Sequence, residues 1–290
     1  MAFHTVVGLS VCSGVAGLER GLQLALVPCG YRCVCHIERD VFAAAVIVAG
    51  IQSAALDPSL VWSDVTTFDG NDWRGKVDLV SAGFPCQPWS VMGKRKGTDD
   101  ERWIWEDVAR VVREIRPSIV FLENVPALVT GGGIGIVLGS LAECGFDAQW
   151  DLFSAQEIGA PHTRDRWFCL AYQSRGGRAR SIFRRALADP ERARRERLGA
   201  RVVGGRGNAH GRNTDRRGSQ MVFPPARNDD RAWRRYLSQG ACEPGLRRGD
   251  YGSTSRIDRL RVLGNGVVPD QAAFAFLSLA ERALEDMGEA

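Results

Sequence analysis

A short apolar segment, a turn and a helix follow one another twice near the start of the chain. Val6–Cys12 predicts a strand, and the glycine-bearing turn Ser13–Gly17 leads into a helix over Leu18–Val27. Tyr31–Ile37 and Val41–Ile51 predict the next strand and helix. In α/β folds such a turn brings backbone amides up to a nucleotide, although glycine serves any tight turn. We therefore expect an α/β fold.

Acidic residues follow two of the predicted strands. Glu38 comes directly after the second strand, some twenty residues beyond the glycine turn, where a carboxylate accepts hydrogen bonds from ribose hydroxyls. Asp64 follows a third short strand at Val61–Ser63. Each acid alone is as well explained as a helix cap or a surface charge. Two acids in series after a glycine turn favour a nucleotide-type cofactor.

A cysteine lies on a stiffened loop beyond the next strand. The apolar run Val77–Ser81 predicts a buried strand, and Cys86 follows it between Pro85 and Pro88. Proline fixes φ and removes a donor, so neither strand nor helix continues here. In open parallel sheets the reacting groups collect at this edge. The loop alone leaves a nucleophile and a buried apolar cysteine equally open.

A carboxylate and two arginines follow on later segments. Ser118–Leu122 predicts a fully apolar strand that ends in Glu123 and Asn124. A carboxylate at that position suits an acid–base step, and a turn-forming pair before proline explains it as well. Arg164 and Arg166 alternate on a segment predicted to be extended, so both guanidinium groups are expected on one side. They suit a planar oxygen-bearing ligand, or a simple ion pair.

The net charge of +4 conceals an uneven distribution. Residues 171–262 contain 23 Arg, no Lys and 9 acidic residues, a balance of +14, so the rest of the chain carries −10. A basic segment on a mildly acidic body is typical of a protein that binds a polyanion. A solvated arginine-rich loop is the alternative, because glycine and polar residues are abundant there.

The cysteines and the apolar content indicate a cytoplasmic protein. The eight cysteines form no set of paired motifs, which favours free thiols in a reducing compartment. Cys29, Cys33, Cys35 and His36 match no regular zinc spacing, and alternate positions on a strand explain two of them, so we expect no metal. We find neither a secretory signal nor an apolar run of membrane-spanning length, and expect no membrane association.

Taken in order, these segments resemble the motif set of the cytosine-5 DNA methyltransferases of phage and bacterial type. The resemblance covers 1–171 and 256–290. It rests on the glycine turn, Glu38, Asp64, Pro85-Cys86-Gln87-Pro88, Glu123-Asn124-Val125, Arg164-x-Arg166 and Gly264-Asn265-x-Val267. It implies a Rossmann-like methyltransferase fold with a mixed, mostly parallel sheet in 1–171, a small, irregular, basic target-recognition region in 172–255, and a C-terminal segment, 256–290, that returns to the catalytic domain.

The resemblance also implies a chemistry and a cofactor. Cys86 would add to carbon 6 of a cytosine flipped out of duplex DNA, Glu123 would act at ring nitrogen 3, and Arg164 and Arg166 would hold the carbonyl oxygen. Ser90–Glu101 would be a mobile lid. S-adenosylmethionine would supply the methyl group. Its implied binding residues are Ser13, Gly14, Gly17, Glu38, Asp64 and Asn265.

The sequence also departs from the family pattern. Ser10 and Cys12 stand where an acid and an aromatic residue are common, and His162 stands where a glutamine usually precedes the arginines. The ninth motif is absent, with Arg256–Leu260 as a potential remnant. A tRNA cytosine methyltransferase and a catalytically silent DNA-binding protein on the same scaffold remain open. The glycine turn lacks the three-glycine spacing that a dinucleotide-binding oxidoreductase needs, which disfavours that alternative. We expect a monomer from a bacterial host, phage or prophage, potentially paired with a restriction endonuclease.

Overall fold

The computed structural model describes residues 5–85, 103–160, 162–188 and 266–288. The chain divides into two compact units. One comprises residues 1–153, 165–189 and 265–290, and the other comprises 154–164 and 190–264. Of the second unit, only 154–160 and 162–164 lie among the described residues. The fold given below is therefore that of the first unit.

Seven strands of the first unit form one mixed sheet. They are β1 (Val6–Val11), β2 (Tyr31–Ile37), β3 (Leu60–Trp62), β4 (Leu79–Ala82), β5 (Ile119–Asn124), β6 (Asp147–Phe153) and β7 (Arg166–Tyr172). Their order across the sheet is β3-β2-β1-β4-β5-β7-β6. The pairings among β1 to β5 are parallel, and β7 runs antiparallel to both its neighbours. The predicted mixed, mostly parallel sheet is confirmed.

Helices cover both faces of this sheet. In the described ranges they are α1 (Gly17–Ala25), α2 (Val41–Gln52), α3 (Trp105–Ile115), α4 (Ala127–Thr130), α5 (Gly133–Glu143), α6 (Arg178–Leu187) and α7 (Pro269–Asp286). Along β5, Ile119 and Phe121 pack in the core with α1, α6 and α7, while Val120 and Leu122 pack in the opposite core with α3 and α5. Burial on both faces explains why β5 is apolar without alternation.

Helix α7 packs closely on α1. A Cβ atom on Gly21 would lie 2.6 Å from the Cβ of Ala272, and one on Gly17 would lie 2.6 Å from the carbonyl oxygen of Val267. Real Cβ atoms do not approach that closely, so glycine at these two positions lets the C-terminal segment lie against α1. The segment that begins at 265 therefore completes the first unit.

Helix α6 extends the first unit beyond the predicted boundary at residue 171. Its buried residues Ala179, Ile182, Phe183 and Ala186 are spaced as one helical face and pack in the core with α7. Arg178 donates from Nε and Nη2 to Asp78 at 2.9 and 3.0 Å, which ties the helix to the start of β4. The region 172–255, which was expected to be irregular, thus includes a helix at its start, because the surrounding arginines conceal this apolar face in the sequence.

Candidate functional site

Several of the predicted site residues lie at one edge of the sheet, where the parallel strands end. The chain order reverses between β1 and β4, which both end at this edge. In open α/β sheets, a ligand binds at such a reversal point. Glu38 follows β2, Asp64 lies two residues after β3, and Glu123 is the penultimate residue of β5.

The turn after β1 has an unusual backbone conformation. Cys12, Gly14 and Ala16 have φ values of 54°, 55° and 61°, a region that residues with a side chain enter at a cost. Ser13 donates from Oγ to Oγ of Ser10 at 2.7 Å and from its amide to the carbonyl of Ile37 at 3.2 Å. These hydrogen bonds tie the turn after β1 to the ends of β1 and β2. Ser10, which stands where the family pattern commonly has an acid, therefore has a structural partner.

Glu38 links the end of β2 to this turn. Its Oε2 accepts from the amide of Gly14 and its Oε1 accepts from the amide of Asp40, both at 2.7 Å. Burial raises the pKa of Glu38, and the two backbone hydrogen bonds oppose that rise. Each carboxylate oxygen has two lone-pair directions, so acceptor capacity remains for hydroxyl groups.

Asp64 caps a 3-10 turn at Val65–Thr67. Its Oδ1 accepts from the amide and from the hydroxyl of Thr66, each at 2.9 Å. These hydrogen bonds lower the pKa of Asp64. The cap, which the sequence left open as the alternative to a cofactor contact, is therefore formed, and contact with an adenine stays a prediction.

Glu123 and Arg166 form an ion pair at the end of β5. Nε of Arg166 lies 3.0 Å from Oε1 of Glu123, and the two side chains are only 15% and 10% exposed. Arg166 also donates from Nη1 to the carbonyl of Asp165 at 2.8 Å. Antiparallel pairing of β5 with β7 brings the two residues together, with Glu123 opposite Phe168. The predicted acid–base carboxylate and one predicted arginine are thus in direct contact.

The segment that leads to Cys86 runs beside Glu123. A Cβ on Gly83 would lie 3.4 Å from Oε2 of Glu123 and 3.7 Å from the carbonyl oxygen of Cys12. The ends of β1, β4 and β5 therefore meet around Gly83. The ring of Phe84 is buried, with its centroid 6.2 Å from that of Trp103 and 5.1 Å from that of Trp105. Gly83 and Phe84 directly precede the Pro-Cys pair, and the sequence alone predicted no role for either of them.

Several predicted residues differ from expectation or lie beyond the described part. Arg164 belongs to the second unit and has a φ of 40°, and β7 begins only at Arg166, so the predicted alternation of Arg164 and Arg166 along one extended segment is wrong. A left-handed residue breaks the alternation of side chains. Cys86, Ser90–Glu101, Asn265, Arg256–Leu260 and most of the basic region lie outside the described residues.

Comparison with known sequences assigns this architecture to a family. The sequence profile described as C-5 cytosine-specific DNA methylase matches residues 7–200, which is more than half of the chain. The chain belongs to the C-5 cytosine-specific DNA methylase family. Residues 7–200 include every predicted catalytic residue, Cys86, Glu123, Arg164 and Arg166.

Named relatives in the C-5 cytosine-specific DNA methylase family align with part of the chain. It is 34% identical over 172 residues to the type II methyltransferase M.CviJI of Paramecium bursaria Chlorella virus IL3A, which is 59% of this chain and 43% of that protein. It is 31% identical over 171 residues to the type II methyltransferase M.HhaI of Haemophilus parahaemolyticus, 58% of this chain and 50% of that protein. The chain thus spans about half the length of the curated relatives it matches.

A solved structure shares this fold. The S. pombe Dnmt2 methyltransferase superposes with a TM-score of 0.56 over 96% of this chain and 99% of that chain, at 16% identity. At that identity the likeness concerns the fold alone. It agrees with the Rossmann-like sheet expected for a C-5 cytosine-specific DNA methylase.

The cysteines in the described part of the chain are poor candidates for a nucleophile. Burial raises the pKa of each thiol, to about 12 for Cys12, where Glu38 adds to the rise, and to about 12 for Cys35. The other described cysteines with a raised pKa are Cys29, Cys33, Cys144 and Cys169. A nucleophilic cysteine reacts as the thiolate, and these thiols stay protonated near neutral pH.

Within residues 5–85, 103–160, 162–188 and 266–288, no group of three or more His, Cys, Asp or Glu is placed to hold a metal ion. The helices in the same ranges include none with the length and apolarity that a bilayer crossing requires.

Proposed function

We propose that this protein transfers a methyl group from S-adenosylmethionine to carbon 5 of a cytosine flipped out of duplex DNA. The observation that carries the proposal is the Glu123–Arg166 pair, which lies beside Gly83, three residues before Cys86. A carboxylate, a guanidinium and the approach to a thiol thus lie together at the sheet edge where α/β folds bind ligands.

Cys86 is the proposed nucleophile. Carbon 5 of cytosine reacts poorly with a methyl donor until a thiolate adds to carbon 6 and makes carbon 5 electron-rich. When bound, S-adenosylmethionine supplies the methyl group. A base then removes the proton from carbon 5, and the thiolate of Cys86 leaves as the ring double bond re-forms. The target atom is inaccessible in stacked duplex DNA, so the base must be extruded first.

Glu123 and Arg166 are proposed to act on the ring as Cys86 adds. Glu123 protonates or hydrogen-bonds ring nitrogen 3, so negative charge does not accumulate there. Arg166 orients that carboxylate through its contact at 3.0 Å, and guanidinium donors stabilise developing charge on the carbonyl oxygen. Arg164 is proposed to act on the same oxygen.

The described residues fit S-adenosylmethionine. Gly14 provides an open turn, since a Cβ there would have no heavy atom within 4 Å. The carboxylate of Glu38, next to that turn, suits the ribose hydroxyls. We propose that Ser13 and Gly17 lie by the methionine end, Asp64 by the adenine and Asn265 on the opposite wall.

Glu38→Ala is expected to weaken binding of S-adenosylhomocysteine, the product, by about 10- to 100-fold, because hydrogen bonds to a charged group are lost. Only the ionised carboxylate accepts both hydroxyl protons, so wild-type affinity should be present at neutral pH and fall as the pH drops through the raised pKa of Glu38. Calorimetric titration between pH 7.5 and 5 measures both effects. Asp69→Ala removes an exposed carboxylate and is the control. Unchanged affinity in Glu38→Ala would remove Glu38 from the site.

The basic region is proposed to bind DNA phosphates and to read bases. The structure refines which arginines are available for this role. Arg178 is bound to Asp78, and Arg185 donates from Nη2 to the carbonyl of Cys29 at 3.1 Å. Asp78 precedes β4, so Arg178 lies at the opposite edge from Glu123. We therefore restrict the proposed DNA-binding region to the part of 172–255 that follows α6.

Arg231→Gln, Arg234→Gln and Arg235→Gln together are expected to reduce the salt dependence of DNA binding. Each lost phosphate contact lowers the slope of log K against log salt by about 0.9, so the slope should fall by up to about 2.7. Fluorescence anisotropy at several salt concentrations measures it. Arg282→Gln removes an exposed arginine paired with Asp151 at 2.8 Å and should leave the slope unchanged. Equal slopes for wild type and the triple variant would place the DNA site elsewhere.

Covalent trapping tests the proposed reaction directly. A duplex in which 5-fluorocytosine replaces the cytosines that the enzyme would methylate should form a denaturation-resistant complex in the presence of S-adenosylmethionine. The complex persists because fluorine cannot leave carbon 5 as the proton does. No adduct and no methylation of genomic DNA would favour a silent DNA-binding protein. Transfer to tRNA with none to DNA would favour the tRNA alternative.

The type II names of the relatives suggest a restriction endonuclease partner, and we propose that the methyltransferase itself acts as a monomer.

A further inference from the structure

The side chain of Asn124 joins the end of β5 to the segment before Cys86. Asn124 is only 3% exposed. Its Nδ2 donates to the carbonyl of Phe84 at 3.0 Å, and its Oδ1 accepts from the amide of Val125 at 2.8 Å. The two partners fix the orientation of the amide, because the reverse orientation would face a donor with a donor and an acceptor with an acceptor.

The side chains of adjacent residues at the end of β5 point to opposite faces of the sheet. Phe121 lies in one core layer and Leu122 in the other, and continuing the alternation places Glu123 with the first and Asn124 with the second. Phe84 belongs to the second layer, where Asn124 reaches it. One strand end therefore carries Glu123 towards Arg166 and Asn124 towards the cysteine loop.

The segment Gly83–Phe84 is held by four contacts, one of which is a backbone hydrogen bond from the amide of Gly83 to the carbonyl of Val11 at 3.3 Å. The ring of Phe84 packs against Trp103 and Trp105, its carbonyl accepts from Asn124, and Gly83 lies against Oε2 of Glu123. Ring packing allows sliding and rotation. The two hydrogen bonds are directional, and the one from Asn124, at 3.0 Å, is the side-chain bond and acts nearer to Cys86, two residues before it.

We propose that Asn124 is a positioning residue that sets the placement of the Cys86 thiol relative to the Glu123 carboxylate. This inference rests on the proposed function, since Cys86 is the nucleophile only within it. Reactive groups must approach within about 3 to 3.5 Å in the right direction, and a displacement of about 1 Å can cost about 100-fold in rate. Loss of the contact should therefore lower kcat and leave cofactor affinity unchanged.

Two variants and a matched control test the proposal. Asn124→Ala removes both hydrogen bonds, and Asn124→Asp keeps an acceptor for Val125 but faces the Phe84 carbonyl with an oxygen. Gln271→Ala is the control, because Gln271 is also a buried amide that donates to a backbone carbonyl, that of Phe153, at 2.8 Å. For each protein we would measure kcat, the rate of trapping by 5-fluorocytosine DNA, the Kd for S-adenosylhomocysteine and the melting temperature.

Both Asn124 variants are expected to lose about 100-fold in kcat and in trapping rate, with the Kd for S-adenosylhomocysteine within about twofold of wild type. Gln271→Ala should lower the melting temperature and leave both rates near wild type. Wild-type rates in Asn124→Asp, or equal rate losses in Asn124→Ala and Gln271→Ala, would overturn the positioning role. A wild-type protein that forms no adduct would instead overturn the proposed function.

Discussion

Cys86→Ala is expected to lower the rate of methyl transfer to DNA by about 10,000-fold or more, because none of the cysteines in the described part of the chain can replace its thiolate. The described thiols all have a raised pKa through burial. Transfer of tritiated methyl groups to duplex DNA measures the rate. Binding of S-adenosylhomocysteine should stay near normal, since alanine removes one sulfur atom from a loop beyond the glycine turn.

The control for this experiment is Cys144→Ala, which removes a half-buried thiol at the C-terminal end of α5. It should retain wild-type activity and wild-type trapping by 5-fluorocytosine DNA, whereas Cys86→Ala should form no adduct. Methyl transfer above about 1% of wild type in Cys86→Ala would assign the nucleophile to another group. In that case the site described at the end of β5 would need a different chemistry.

Glu123→Gln is expected to lower kcat by about 100- to 1,000-fold, because an amide cannot deliver a proton to ring nitrogen 3. It also leaves Arg166 without the carboxylate that lies 3.0 Å away, so the variant should be less stable. Single-turnover kinetics with duplex DNA at saturating cofactor separate the chemical step from binding. The melting temperature, measured in parallel, reports the loss of the ion pair.

Glu114→Gln provides the matched control for Glu123→Gln. Glu114 also pairs with an arginine, Arg110, at 2.9 Å, and accepts from the amide of Gly70. It lies near the end of α3, and its partner Arg110 donates to the carbonyls of Val65 and Phe68 rather than to a predicted catalytic residue. This variant should lose stability with single-turnover rates near wild type. If both variants lost the same activity, the effect of Glu123→Gln would be one of stability, and Glu123 would not act on the base.

The local pattern predicted most of the sheet. Tyr31–Ile37 forms β2 as predicted, and β5 includes the whole predicted apolar core at Ile119–Leu122. Helix α6 was missed for a physical reason: its four buried residues alternate with arginines, whose charge dominated the composition. The acids Glu38 and Glu123 were predicted from their positions at strand ends, because the ends of parallel strands meet at one edge.

The sequence by itself determined most of the strands, the acidic residues at their ends and the family. These follow from periodicity and motif order, which depend on neighbours along the chain. Only the tertiary structure decided that Arg166 contacts Glu123, that Arg164 leaves the strand conformation, that Gly17 lies against Val267, and that Asn124 holds Phe84. Such contacts depend on strand order and on how closely backbones approach, and residue spacing carries neither.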